Sequence, residues 1–258
     1  MKLLAFSGAF ILLFCFAISP HTLAELAEDE KEFKKAFVSL QVADPSIIVE
    51  ARYYSNYNFV GQRIRGYNAP KCIITRQAAE ALASVQTELK AFSLSLKVYD
   101  CYRPQRAVDD FVEWVKDLSD TRMKKDFYPT VAKRDLFRKG YIAKKSSHSR
   151  GSTVDLTIVP LPLPEQPNYE DRKGLVECHL DYEKGFKDKS LDMGTAYDCF
   201  HPLSYTLNPE IGRIQKINRL LLKLIMEKYG FTNLPEEWWH YTLRGEPFPN
   251  RFFDFEIN

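Results

Sequence analysis

One carboxylate placed inside an apolar run constrains this chain more than any other feature. Residues 154–159 read Val-Asp-Leu-Thr-Ile-Val, the pattern of a buried strand, and Asp155 stands near its start. A charge there is costly unless it is paired or ligates a metal. Just upstream, residues 146–155 read Ser-Ser-His-Ser-Arg-Gly-Ser-Thr-Val-Asp, with Gly151 marking a tight turn between His148 and Asp155. A His and an Asp seven residues apart are common by chance, so their weight depends on further donors. Residues 235–240, Pro-Glu-Glu-Trp-Trp-His, supply His240, with Glu237 three positions before it. That spacing lets both side chains point one way on a helical turn.

Two neutral imidazoles and one carboxylate form a common first shell for catalytic zinc and leave one position open for water. His148, Asp155 and His240 are therefore the candidate ligands of one Zn2+ per chain. Glu237, a free carboxylate beside that open position, is placed to take a proton from water, as in a hydrolase. Trp238 and Trp239 lie between the two and can pack against the protein body, excluding bulk water. The plainer reading makes both histidines ordinary polar residues and both tryptophans core.

The first 24 of the 258 residues read as a secretory signal peptide rather than as part of the fold. Lys2 precedes an apolar stretch over residues 3–18, and Pro20 and Thr-Leu-Ala follow, with a cut expected after Ala24. An uncleaved anchor is the alternative, although the apolar stretch is short for a spanning helix. Cys15 raises lipidation, but Phe14 before it fits such a site poorly. No stable membrane insertion is expected after cleavage, and an exported, periplasmic location follows. Removing the leader costs only Lys2, so the balance moves from 36−34 to 35−34, and a near-neutral surface offers no electrostatic case for nucleic acid. Residues 25–258 are expected to form one domain.

Four cysteines remain: Cys72, Cys101, Cys178 and Cys199. An even number in an oxidising compartment points to disulfides, with three connectivities open. Cys72 with Cys101 and Cys178 with Cys199 is the preferred pairing, each pair bracketing one local unit. Cysteine zinc ligation is the alternative, though no C-x-x-C spacing occurs.

Along the chain, residues 47–54 read as extended and residues 53–67 as an irregular aromatic loop. Thr75 is a candidate cap for a helix reaching about Phe92, with Ala79, Leu82, Ala83 and Leu89 inward. Residues 95–99 alternate like a strand. Pro104 suits a helix start, and Val108, Phe111, Val112, Val115 and Leu118 keep helical spacing. Arg103 thus falls where a strand meets a helix, either aimed at a ligand or salt-bridged at the surface. Residues 119–145 read as a helix and loop. Residues 160–206, opening with Pro160, Pro162, Pro164 and Pro167, form a long insertion of the kind used as a lid or binding loop. His179 and His201 within it are taken as surface histidines. Asn208 and Pro209 open a helix whose apolar series is Ile211, Ile214, Leu221, Leu224 and Ile225, stopped by Gly230. Short strands over residues 231–234 and 239–243 flank the Glu-Trp-Trp-His turn.

With these pieces in place, the chain resembles the zinc D-alanyl-D-alanine dipeptidases over residues 47–243. The carriers are Tyr-Arg-Pro at 102–104, Ser-x-His-x-x-Gly with Asp at 146–155, Met-Gly-Thr-x-Tyr-Asp at 193–198 and Glu-x-Trp-His at 237–240. The metal motifs are shared with related carboxypeptidases, whereas Tyr-Arg-Pro, Met-Gly-Thr and the double Trp lean toward the dipeptidases. The resemblance implies an α+β fold, a small antiparallel sheet flanked by helices, shared with the hedgehog signalling domain. It implies Zn2+ on His148, Asp155 and His240, Glu237 as general base and then acid, and Arg103 stabilising the tetrahedral intermediate. Ser146 and Ser147 would hold the substrate carboxylate and Asp198 its ammonium, the partner being a small D,D-dipeptide.

Two departures stand out. Thr153 replaces a small alanine, which would perturb packing near the metal, and the Pro-rich insertion would reshape access. The alternatives are a D,D-carboxypeptidase trimming peptidoglycan stems and a non-catalytic zinc-containing wall-binding module. Oligomeric state is not legible.

Overall fold

Strand β5 (Thr153–Pro160) is the axis on which the chain is assembled, because its pleat sorts two chemistries onto two faces. Val154, Leu156 and Ile158 point into the main apolar cluster, while Thr153, Asp155 and Thr157 take the alternate positions and are buried too. The computed structural model describes residues 33–166, 176–180, 183–185 and 188–258. The expected signal peptide and parts of the 160–206 insertion lie outside the described residues. The chain divides into Met1–Ala36 and Phe37–Asn258, and the second unit is described here. No helix among the described residues is long and apolar enough to cross a membrane.

The main sheet has five strands in the order β2-β4-β5-β7-β6. They are β2 (Ile48–Val49), β4 (Leu94–Asp100), β5, β6 (Phe231–Asn233) and β7 (His240–Leu243). All pairings are antiparallel except β2 with β4, so the expected antiparallel sheet carries one short parallel edge. A separate ribbon pairs β1 (Phe37–Ser39) with β3 (Ile73–Thr75). Cross-strand pairs Leu96–Ile158 and Val98–Leu156 continue the apolar face. Against it packs α2 (Arg76–Lys90), which follows the short α1 (Leu40–Ala43), through Ala78, Ala79, Leu82, Val85 and Leu89. The helices and strands form the expected α+β arrangement.

Thr75 does occupy the N-cap position of α2, but its hydroxyl pairs with Ser152 Oγ at 2.7 Å instead of capping. Helix α3 (Gln105–Lys116) begins just after Pro104 and buries Ala107, Val108, Phe111, Trp114 and Val115. Leu118 lies beyond its end and is exposed. Residues 119–145 contain only the short α4 (Lys124–Phe127) and a 3-10 turn. Helix α5 (Arg213–Lys228) starts later than its sequence implies, because the Asn208 side chain accepts from Glu210 N–H in a separate turn. Its inward face is Arg219, Leu222, Ile225 and Met226, while Ile214, Leu221 and Leu224 face outward. The buried Arg219 decides that rotation: it donates to the carbonyls of Met193 (2.6 Å) and Tyr205 (2.7 Å).

Both preferred disulfides are present, Cys72–Cys101 and Cys178–Cys199. The insertion leaves from the distal end of β5, and fully buried Lys97 grips both of its stems, donating to Gln166 Oε1 at 2.9 Å and to the Asp188 carbonyl at 2.8 Å. His179 and His201 are not surface histidines but half-buried; their rings stack in parallel, 4.5 Å apart.

Gly151 connects the fold to the site. Its φ is +87°, and a Cβ there would lie 2.1 Å from the Phe37 ring. Gly151→Ala should therefore destabilise the protein by roughly 2–4 kcal/mol through strain and overpacking. Equilibrium denaturation in urea checks this, and a change under about 0.5 kcal/mol would contradict it.

Candidate metal-centred site

Three neighbouring strands place the site by register alone. Asp155 pairs with Asp100 at the end of β4 on one side and with His240 at the start of β7 on the other. His148 arrives from the 3-10 turn Ser147–Arg150, and Gly151 closes that turn in the left-handed conformation. The turn is tied down on several sides. Thr75 N–H donates to the Gly151 carbonyl (2.8 Å), Arg103 N–H to the His148 carbonyl (3.3 Å) and Phe253 N–H to the Ser149 carbonyl (2.8 Å).

The outcome is a triangle of donor atoms. His148 Nε2 lies 3.2 Å from Asp155 Oδ1, His240 Nδ1 lies 3.0 Å from it, and the two nitrogens are 3.3 Å apart. Hydrogen bonding fixes which ring nitrogens carry protons. His148 Nδ1 faces the Cys101 carbonyl at 2.7 Å and must donate to it, so neutral His148 presents a lone pair at Nε2. His240 Nε2 faces Ser147 Oγ at 3.1 Å, and in the tautomer that donates there Nδ1 presents a lone pair as well. Asp155 turns Oδ1 to the two imidazoles, while Oδ2 accepts from Tyr197 Oη at 3.0 Å. Three donor atoms thus converge on one place, an arrangement suited to a cation. Bonds of roughly 2.0–2.1 Å from a tetrahedral ion set neighbouring donors roughly 3.3 Å apart, so the triangle fits one metal ion. Among the described residues this is the one such cluster.

Glu237 approaches from the turn before β7, its Oε2 3.5 Å from His240 Nδ1. That turn is not helical: Glu237 N–H donates to the Leu234 carbonyl and His240 N–H to the Glu237 carbonyl, and β7 begins at His240. The two tryptophans are buried as expected. Trp238 Nε1 donates to Thr195 Oγ1 at 2.8 Å, and Trp239 packs edge-on to Tyr197. The Met-Gly-Thr segment is thereby docked onto the Glu-Trp-Trp-His turn, and it delivers Asp198 to the cavity.

Arg103, Ser146, Ser147, Asp198 and Glu237 all line one cavity of about 230 Å³ together with the triangle. Arg103 is clamped by Asp100 Oδ2 at 2.8 and 2.9 Å and lies over the rings of Tyr53 and Phe111. Asp198, at φ +59°, aims its carboxylate at Tyr53 Oη, 2.8 Å away. Ser147 Oγ lies 3.1 Å from His240 Nε2 and, accepting from that N–H, keeps its own proton to donate into the cavity. Ser146 Oγ accepts the His148 N–H at 3.3 Å and keeps its own proton to donate. Thr153 is buried, and its hydroxyl pairs with Thr242 at 2.9 Å across β5 and β7.

Asp100, Tyr53, Tyr197 and Lys145 also line or support the site and were not singled out from sequence. Tyr53 opens the aromatic loop over residues 53–67, Tyr197 stands in the Met-Gly-Thr-x-Tyr-Asp motif and Asp100 lies three residues before Arg103, but none of the three has a role assigned from sequence. Four carboxylates, Asp100, Asp155, Asp198 and Glu237, thus share the site with Arg103, while Lys145 lies at its exposed edge. Burial would raise Asp155, but the imidazoles of His148 and His240 hold it below the usual carboxylate range. Burial pushes Glu237 up to about 7, opposed by His240 and reinforced by Asp155. Burial, with Asp155 nearby, drives Asp198 well above its ordinary value. The crowding of carboxylates raises the proton affinity of Asp198 and Glu237, and a cation placed among them would favour their ionised forms.

A family model described as D-ala-D-ala dipeptidase, peptidase M15, matches residues 34–162 and 183–258. The chain belongs to this family. Residues 1–33 and 163–182 are unmatched, and the internal gap falls within the Pro-rich insertion. The chain is 35% identical to a D-alanyl-D-alanine dipeptidase of Streptomyces coelicolor over 208 residues, covering 81% of this chain and 91% of that protein. It is 34% identical to one of Enterococcus faecalis over 209 residues, covering 81% and 92%. An Escherichia coli protein of the same name is 29% identical over 206 residues, covering 80% and 83%. The family is metal-dependent, in agreement with the donor triangle.

The Tyr197 hydroxyl orients the carboxylate of the triangle, and such outer partners are typically worth 10- to 100-fold in metal affinity. Tyr197→Phe should keep the circular dichroism of the parent and weaken divalent-metal affinity about tenfold in a chelator competition. Undiminished affinity would remove this role.

Proposed function

We propose that this protein is an exported zinc-dependent dipeptidase that hydrolyses D-alanyl-D-alanine to two molecules of D-alanine. The observation that carries the reading is the convergence of three metal-donor atoms beside a half-buried glutamate, in a chain of this family. His148, Asp155 and His240 would hold the ion, and two nitrogens with one oxygen suit Zn2+. When bound, the ion supplies Lewis acidity that makes water nucleophilic at neutral pH.

The chain's own groups do the rest. Glu237, its affinity for a proton raised by burial to a pKa of about 7, takes the proton from the attacking water and returns it to the leaving amine. Arg103, immobilised by Asp100, faces the oxyanion that develops on the scissile carbonyl, a contribution typically worth ~3–4 kcal/mol. Asp198 receives the substrate ammonium with Tyr53 Oη as its buried partner. Ser146 donates to the substrate carboxylate, and exposed Lys145 adds positive charge at that rim. Two disulfides and the expected leader support a site of action outside the cytoplasm, in the periplasm.

The carboxylate of Asp198 distinguishes this reading from a carboxypeptidase acting on wall stems. An acylated amino end would leave Asp198 facing a neutral amide in a buried place, at a cost of several kcal/mol. D-Ala-D-Ala should therefore be cleaved at least about 100-fold more efficiently, in kcat/KM, than its N-acetyl derivative or a stem pentapeptide. Efficient release of D-alanine from the pentapeptide would favour the carboxypeptidase instead.

Two substitutions separate holding the metal from moving the proton. Glu237→Gln should retain stoichiometric zinc by elemental analysis and lose at least about 100-fold in kcat. His240→Ala should lose the zinc itself. A Glu237→Gln enzyme with near-parental turnover would exclude Glu237 as the base.

A further inference from the structure

We propose that the Cys72–Cys101 disulfide is a positioning element for His148, holding the Cys101 carbonyl where it keeps the Nδ1 proton and frees Nε2 for metal. The proposal rests on reading His148 as a ligand.

The argument begins where the sheet stops. Strand β4 ends at Asp100 with an irregularity in register between Val98 and Asp100, so Cys101 is the first residue outside the ladder with β5. Its carbonyl has left the sheet and accepts from His148 Nδ1 at 2.7 Å. Cys72 is a fixed point. Its carbonyl accepts the Leu40 N–H at 2.8 Å, its own N–H donates to Gln41 Oε1 at 3.2 Å, and the next residue begins β3. The Cα atoms of the two cysteines are 5.3 Å apart and both residues are buried. The bridge thus ties the free peptide of Cys101 to the ribbon.

The Tyr102 N–H to Ile73 carbonyl bond, 2.8 Å, secures the following residue but not the Cys101 carbonyl itself. The other acceptor within reach of His148 Nδ1 is Asp100 Oδ2 at 3.5 Å, which already receives Arg103. If the Cys101 carbonyl turns away, Nδ1 must compete for that carboxylate or give up its proton to Nε2. The first loosens Arg103 and the second blocks the metal.

The second bridge is a built-in comparison. Cys199 directly follows Asp198, and the bridge spans 21 residues against 29 for the first. It supports the ammonium end and has no described bond to a member of the donor triangle.

The test uses the full chain with two double variants, Cys72→Ser/Cys101→Ser and Cys178→Ser/Cys199→Ser, and Zn2+ as the probe in a chelator competition. The first should bind Zn2+ ten- to 100-fold more weakly than the parent. The ring-nitrogen NMR shifts of its apo form should show His148 no longer held in one tautomer. The second should bind Zn2+ within twofold of the parent and show a raised KM for D-Ala-D-Ala. Parental Zn2+ affinity in the folded first variant, or equal loss in both, would overturn the proposal and reduce the bridges to general stability. If the first variant does not fold, phosphine reduction and alkylation of the Cys178→Ser/Cys199→Ser variant, which keeps only the first bridge, gives the same reading, and undiminished Zn2+ affinity there overturns it equally. A parent with no affinity for Zn2+ would instead sink the ligand reading beneath it.

Discussion

Three donor atoms converging on one point suited to a cation are what the rest of this structure is arranged around. Asp155 is the pivot. Its Oδ1 faces two imidazole nitrogens and its Oδ2 takes Tyr197 and lies 3.7 Å from Arg103. Placed on the central strand, it is positioned by ladders on both sides rather than by a loop. Rigid placement matters because a ligand triangle must hold its geometry within fractions of an ångström to prefer one ion and one coordination number.

The surrounding groups divide the remaining work by environment. Half-buried Glu237 and buried Asp198 both have raised proton affinity, yet they have different partners. Glu237 lies 3.5 Å from His240 Nδ1. Asp198 is bonded to Tyr53 and placed to meet a cationic substrate group. Arg103 is sandwiched by aromatic rings and its Asp100 clamp, so its charge is available without the freedom to swing away. Such fixed charge acts on a developing oxyanion with little reorganisation.

Much of this was readable from residue types. His148, Asp155, His240 and Glu237 announce themselves because an aspartate in an apolar run and two histidines near small or aromatic neighbours have few other uses. Strands β5, β6 and β7 follow from their apolar patterns. The rotation of α5 was not readable, because the acceptors that bury Arg219 are backbone carbonyls of residues 193 and 205, invisible in a pattern of side chains. Tyr197, Tyr53 and Asp100 gain their roles only from register and distant loops, so ordinary polar residues became site residues on folding. Ser147 is assigned to substrate by resemblance, and its contact with His240 Nε2 arises only on folding.

The grip of Lys97 on Gln166 and Asp188 has a consequence for how this molecule can diverge. An eight-residue strand runs about 3.3 Å per residue, so the insertion departs roughly 17 Å from Asp155. Because one buried ammonium clasps both stems, chain added between them need not be felt at the catalytic row. Lineages can lengthen or rewrite that excursion, as its absence from the family pattern illustrates, while the chemistry upstream stays unaltered.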